Sequence, residues 1–174
     1  MSNLKFVGEY TDDDSASMSF TGIFTSAYNV YKVVIDRIDF ADADLFCRFI
    51  NSSDSVISSS NYDDQVALLR SYTGGFAGNQ TDGGTEFGSL GYHNEGTIGA
   101  DSGGATVMYV FNPLASKNTV AVWENAGTNS GGTPARKGGA ILLTSDSITG
   151  LNFIGTSSAT IRYLRFRVYG LEVV

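Results

Sequence analysis

Of cysteine, histidine and tryptophan the chain has one each, and of proline only two. A lone thiol, Cys47, excludes a disulfide framework within one chain. One cysteine and one histidine cannot supply a zinc-ligand set. Cys47 lies in DLFCRFI, while the single histidine, His93, lies far along in a Gly-rich stretch. Cys47 therefore reads as a small buried hydrophobe rather than a nucleophile. Bases are also scarce, 11 against 18 acids, for a net charge of -7. That balance speaks against nucleic-acid binding, which needs clustered Lys and Arg for the phosphates, and against a surface built for anionic lipid. No run approaches ~20 apolar residues, so no helical membrane span is expected. The start, MSNLKFVGEYTDDD, has no basic segment leading into an apolar one, and no secretory signal is read there. Neither GxxxxGK[ST] nor GxGxxG after a buried strand occurs. No cofactor is implied.

What the chain does have is glycine, 21 residues of it, and 42% hydrophobic content at 17% charge. This suits a folded protein with many tight turns. At 174 residues it fits one domain, 1–174, with enough chain to bury a core. The apolar periodicity is 2 almost throughout, the signature of strands. Leu4–Tyr10, Ala16–Gly22 and Asn29–Phe40 read as the first three. Next, DLFCRFINS puts Leu45, Cys47 and Phe49 on one face and Phe46, Arg48 and Ile50 on the other. DDQVALLRS fits strand or helix equally, since Val66, Leu68 and Leu69 suit both periods. Residues 74–104 hold eleven glycines and read as mostly loop, with a strand near Phe87–Leu90. ATVMYVF and KNTVAVWEN, joined by NPLASK, read as a hairpin. Residues 126–139 read as a second flexible stretch, followed by AILLT, SITGLNF and the closing strand. In RYLRFRVYG, Leu164, Phe166 and Val168 share one face, and Tyr163, Arg165, Arg167 and Tyr169 the other. The first face is expected in the core, the second on water or a partner. Its bases would also discourage pairing if it lay at an edge. The expected fold is all-β: an antiparallel sandwich, jelly-roll-like, of about eight to ten strands with two long Gly-rich loops.

Chemistry is harder to find. Asp12-Asp13-Asp14, Asp42 with Asp44, and Asp63-Asp64 fit no Ca²⁺ loop spacing and read as solvated turns. A glycosidase would need a carboxylate pair, for which Glu86, Glu95, Glu124 and Glu172 are the later glutamates. Trp123 with Tyr72 and Tyr92 would make a sugar-stacking platform, although a core position for Trp123 is the favoured reading. Leu4, Phe6 and Val7 are candidates for an N-terminal docking arm within 1–27, since chain ends add strands to a partner's sheet. A plain first strand is the competing reading. Arg165, Arg167 and Tyr163 are candidates for inter-subunit contacts, or for pairing with a neighbouring strand.

Taken together, the Tyr-rich strand Tyr31–Ile38, the acidic turn Asp42/Asp44, the strand carrying Arg48, the loop Tyr62, Asn112-Pro113 and the closing Tyr169-Gly170-Leu171 resemble a family of small virion proteins of tailed bacteriophages. The resemblance runs over about residues 28–171. It implies a jelly-roll-like sandwich serving as a capsid decoration, or cement, protein on the virion surface. It implies a homo-oligomer, with a trimer favoured, and the major capsid protein as partner. It offers no catalytic residues. The alternative is a receptor- or carbohydrate-binding module of a tail fibre or spike, recognising a host-surface glycan through the Gly-rich loops. A sandwich glycan hydrolase is a third reading.

Overall fold

A computed structural model describes residues 3–40, 43–70, 76–94, 104–129 and 134–172. Among them there are thirteen strands, one short 3-10 turn and no α-helix. The strands are β1 (Leu4–Ser15), β2 (Ser17–Phe20), β3 (Val30–Phe40), β4 (Ala43–Asn51), β5 (Tyr62–Arg70), β6 (Phe76–Gly84) and β7 (Phe87–Asn94), then β8 (Ala105–Phe111), β9 (Thr119–Ala126), β10 (Thr128–Asn129), β11 (Pro134–Leu142), β12 (Ile148–Gly155) and β13 (Ile161–Leu171). They form an eight-stranded sheet in the order β1-β13-β3-β8-β9-β11-β5-β6 and a five-stranded sheet in the order β10-β7-β4-β12-β2. All pairings except the short β10–β7 contact are antiparallel. The two sheets face one another, with Phe153 of β12 against Phe166 of β13 at a ring-centroid distance of 5.2 Å.

The core forms because alternate residues of both sheets point inward. β4 buries Leu45, Cys47 and Phe49, and β13 buries Leu164, Phe166 and Val168. Phe166 meets Tyr10, Phe20 and Phe153 at ring-centroid distances of 5.1, 4.9 and 5.2 Å, so three strands and both sheets converge on one ring. Trp123 is buried beside Phe87. The open choice at DDQVALLRS resolves as strand: β5 is paired on both sides, with β11 and β6.

The larger revisions concern glycine. Neither Gly-rich stretch is a loop where it is described. Residues 76–84 and 87–94 are β6 and β7, and β11 begins at Pro134, inside what reads as a flexible segment. Some of these glycines serve the backbone, as at Gly83 with φ 67°, and others clear room for a neighbour. A Cβ on Gly138 would lie 2.2 Å from the Trp123 ring. β7 carries a bulge: Leu45 pairs with Gly91 and Phe46 with Gly88, leaving Ser89 and Leu90 extra. Ser89 has φ 67°. Side chains of the facing sheet hold the bulge. Asp64 accepts from the Gly88 N–H at 3.1 Å, Asn125 donates to the Ser89 carbonyl at 2.7 Å, and Thr106 donates to the Leu90 carbonyl. Asp64 is thus a buried structural acid rather than a solvated turn residue.

Two expected positions also change. The closing strand is interior, flanked by β1 and β3, so its bases do not guard an edge. Asp12-Asp13-Asp14 continues β1 instead of turning the chain, and these acids sit exposed on the sheet's outermost strand. Charge there blunts edge-to-edge pairing.

Candidate binding face

The outer face of the eight-stranded sheet carries the features that no packing inside the chain uses up. Its residues fall in cross-strand rows. One row reads Phe6, Tyr169, Lys32, Tyr109, Val122, Gly139, Gln65 and Gln80. A second reads Leu4, Leu171, Val30, Phe111, Val120, Ile141 and Asp63. Between β1 and β8 these rows are mainly apolar. Phe6 is 62% exposed and Leu4 40%, and the Phe6 ring meets Tyr169 edge-on at 5.7 Å.

At the centre of this half, two acids are neutralised by two bases. Arg165 donates to Asp36 through two nitrogens, at 2.9 and 3.1 Å. Arg167 bridges Asp36 and Glu9, the latter at 2.6 Å. Partial burial pushes the Asp36 carboxyl up, but hydrogen bonds from Arg165 and Arg167 and their positive charges outweigh it and hold the group below its ordinary value. Arg37 stacks over the Tyr163 ring at 4.6 Å.

Beyond β8 the face becomes a shallow groove of ≈ 1210 Å³ across β9, β11, β5 and β6. It runs beside a smaller hollow of ≈ 320 Å³ over Tyr109, Val122 and Lys137. Ala67, Gly78 and Gly139 form its floor; Gln65, Gln80, Asp63 and Lys137 stand around it. Lys137 is paired with Glu124 at 2.6 Å. Asp63 accepts from the Gly83 N–H at 2.9 Å.

The residues singled out in the sequence are distributed as follows. Leu4, Phe6 and Val7 do not form a free arm: Leu4 pairs with Leu171 and Phe6 with Tyr169, and Val7 is the extra residue of a bulge packed on the core. The N-terminal segment is the plain first strand, and its exposed apolar side chains belong to the sheet face. Arg165 and Arg167 pair with neighbouring strands of their own chain. Glu86 pairs with Arg48 at 2.9 Å beside the five-stranded sheet, while Glu124 stands on the outer face of the other sheet, so these two glutamates do not share a site. Asp44 pairs with Arg136. Trp123 is core, not platform. Asp42, Tyr72 and Glu95 lie outside the described residues, as do the side chains of Tyr92 and His93. The face itself was missed by sequence reading. Its signal was the outward half of each strand's alternation, where Val30, Phe111, Val120 and Ile141 stand in place of polar residues.

No protein-family model matches the sequence, and no curated protein does. Among solved structures, mouse laminin alpha1 domains LG4-5 match at TM-score 0.31 and 8% identity, covering 93% of this chain and 41% of that one. The exo-inulinase of Aspergillus awamori matches at 0.30 and 10%, covering 96% and 29%. The chain thus spans less than half of either. The Lotus tetragonolobus seed lectin matches at 0.26 and 6%, covering 98% and 94%. At these scores the likenesses carry no argument about function; the chain itself is an antiparallel β-sandwich.

Proposed function

We propose that this chain is a non-enzymatic structural protein of a bacteriophage virion, which coats the capsid surface as a homo-oligomer. The observation that carries this reading is the β1-β13-β3-β8 half of the outer sheet face. It is apolar along two rows, and its acids Glu9 and Asp36 are matched by Arg165 and Arg167. In a chain of net charge -7, copies repel one another over most of their surface. Around Glu9 and Asp36 this half-face lets two copies meet with less of that repulsion. Four strands about 4.8 Å apart and up to roughly 11 residues long present about 700 Å², close to the ~800 Å² that each partner of a stable complex buries. The phage assignment rests on the family resemblance; the half-face supports self-association.

The first test is light scattering of the purified protein beside a Phe6→Asp/Tyr169→Asp variant. An oligomer that the variant converts to a folded monomer supports the reading. A monomeric wild type removes it. The second test is copy number per virion, by quantitative mass spectrometry against the major capsid protein. Hundreds of copies support a coat, and a handful would move the chain to a tail appendage.

A further inference from the structure

We propose that the groove across β9, β11, β5 and β6 binds a neutral polysaccharide chain. This goes beyond the assembly reading and uses the opposite half of the sheet face.

The first argument is space. Two floor positions are glycine without any internal need for it. A Cβ on Gly139 would meet its nearest atoms at 3.8 Å, and one on Gly78 at 4.0 Å, both ordinary contact, and neither residue has a positive φ. Gly138 next door is the contrast, because Trp123 fills the space its side chain would take. At Gly78 and Gly139 nothing in the described chain occupies the vacated volume, which opens outward into the groove.

The second argument is polarity. Gln65 and Gln80 stand directly opposite one another on β5 and β6. Neither amide has a hydrogen-bond partner among the described residues. Each presents a donor and an acceptor side by side, which matches the neighbouring hydroxyls of a sugar ring. Val122, 39% exposed, offers an apolar patch for the ring's C–H face.

The third argument is charge, which selects among polymers. The groove's one base, Lys137, is already paired with Glu124, while Asp63 and Asp82 line it. Among the described residues of the groove no unpaired positive charge is left to hold phosphate, sulfate or uronate. A polyanion is repelled, and an uncharged polyol chain is not.

The test is affinity electrophoresis in native gels cast with laminarin, xylan, mannan or dextran, with polygalacturonate as the anionic control. Expected is retardation by at least one neutral polymer and none by polygalacturonate. Gly139→Val, which fills the floor, and Gln65→Ala/Gln80→Ala, which removes both amides, should each weaken retardation at least tenfold while unfolding at the wild-type temperature. Trp123, the only tryptophan, lies directly beneath Gly138, so its fluorescence gives an independent binding signal. Three results overturn the proposal: no retardation by any of the four neutral polymers, retardation by polygalacturonate alone, or retardation that both folded variants keep. None of these bears on self-association, which the light-scattering test reads separately.

Discussion

Replacing Phe166 by alanine tests the architecture at its centre. The ring is fully buried on β13 and touches Tyr10, Phe20 and Phe153 at 4.9–5.2 Å. Removing a buried phenylalanine costs about 3–5 kcal/mol through lost transfer energy and the cavity left behind. Each aromatic pair adds about 0.5–1.5 kcal/mol beyond burial, which places the expected loss in the upper half of the range, near 4 kcal/mol. In a chain of this length 1 kcal/mol moves the melting temperature by roughly 2–4 °C, so the variant should melt about 8–16 °C lower. Urea unfolding followed by circular dichroism gives the free energy directly, and an unchanged slope would show that the unfolded state is unaffected. The neighbouring Arg165→Ala is the internal control. Its side chain is on the outer face in a partly exposed ion pair with Asp36, and such pairs contribute about 0–1 kcal/mol. The large step between adjacent positions is the prediction. A Phe166→Ala loss below about 1 kcal/mol, or an Arg165→Ala loss as large as it, would refute the assignment of faces.

Three further outcomes follow from the same geometry. Gly138→Ala should cost about 1–3 kcal/mol by driving a methyl into the Trp123 ring and should shift tryptophan emission, whereas Gly139→Ala should stay within about 0.5 kcal/mol; the reverse order would mean the two faces of β11 are exchanged, and equal effects would mean Trp123 does not fill the space at Gly138. Cys47 is fully buried and burial pushes its thiol up, so Ellman's reagent at pH 8 should react with it only in denaturant, and rapid native labelling would contradict the packed core. Asp36 is held below the ordinary carboxylate value, so the stability it contributes is present above about pH 3.9 and is lost as pH falls through its lower folded value. The gap in melting temperature between wild type and Asp36→Asn should therefore hold between pH 7 and 5 and close in acid, and a gap that widened on acidification would rule the ion pairs out as its source.

Much of the fold was legible because alternation is a local signal. ATVMYVF, the strand around Cys47 and the closing strand each declare their two faces within a few residues. The inward set Leu164, Phe166 and Val168 is the buried set. Glycine hid the rest. In β6 and β11 it stands at Gly78, Gly138 and Gly139, where a side chain would have shown the period. At Gly138 the space belongs to a tryptophan fifteen positions away in sequence, which no local reading can supply. Neighbour relations were equally hidden. That β13 is interior, and that Asp64 holds a bulge on the facing sheet, depend on pairings made over long sequence separation. The binding face was obscured for a third reason: its row from Leu4 to Asp63 takes one residue from each of seven strands.

The pairing of β1 with β13 has a consequence for how the molecule is made. Leu4–Ser15 has no partner in the eight-stranded sheet until Ile161–Leu171 exists, because β13 is its only neighbour there. At about 5–20 residues per second, the ribosome takes roughly 7–30 seconds to pass from one to the other. Through that interval Phe6, Val7 and Tyr10 wait in an unpaired segment. The acids Glu9, Asp12, Asp13 and Asp14 are interleaved with or follow them, and charge of one sign keeps nascent segments on neighbouring ribosomes apart. The acidic first strand is thereby suited to its delay, since β1 joins the large sheet only once β13 has been made.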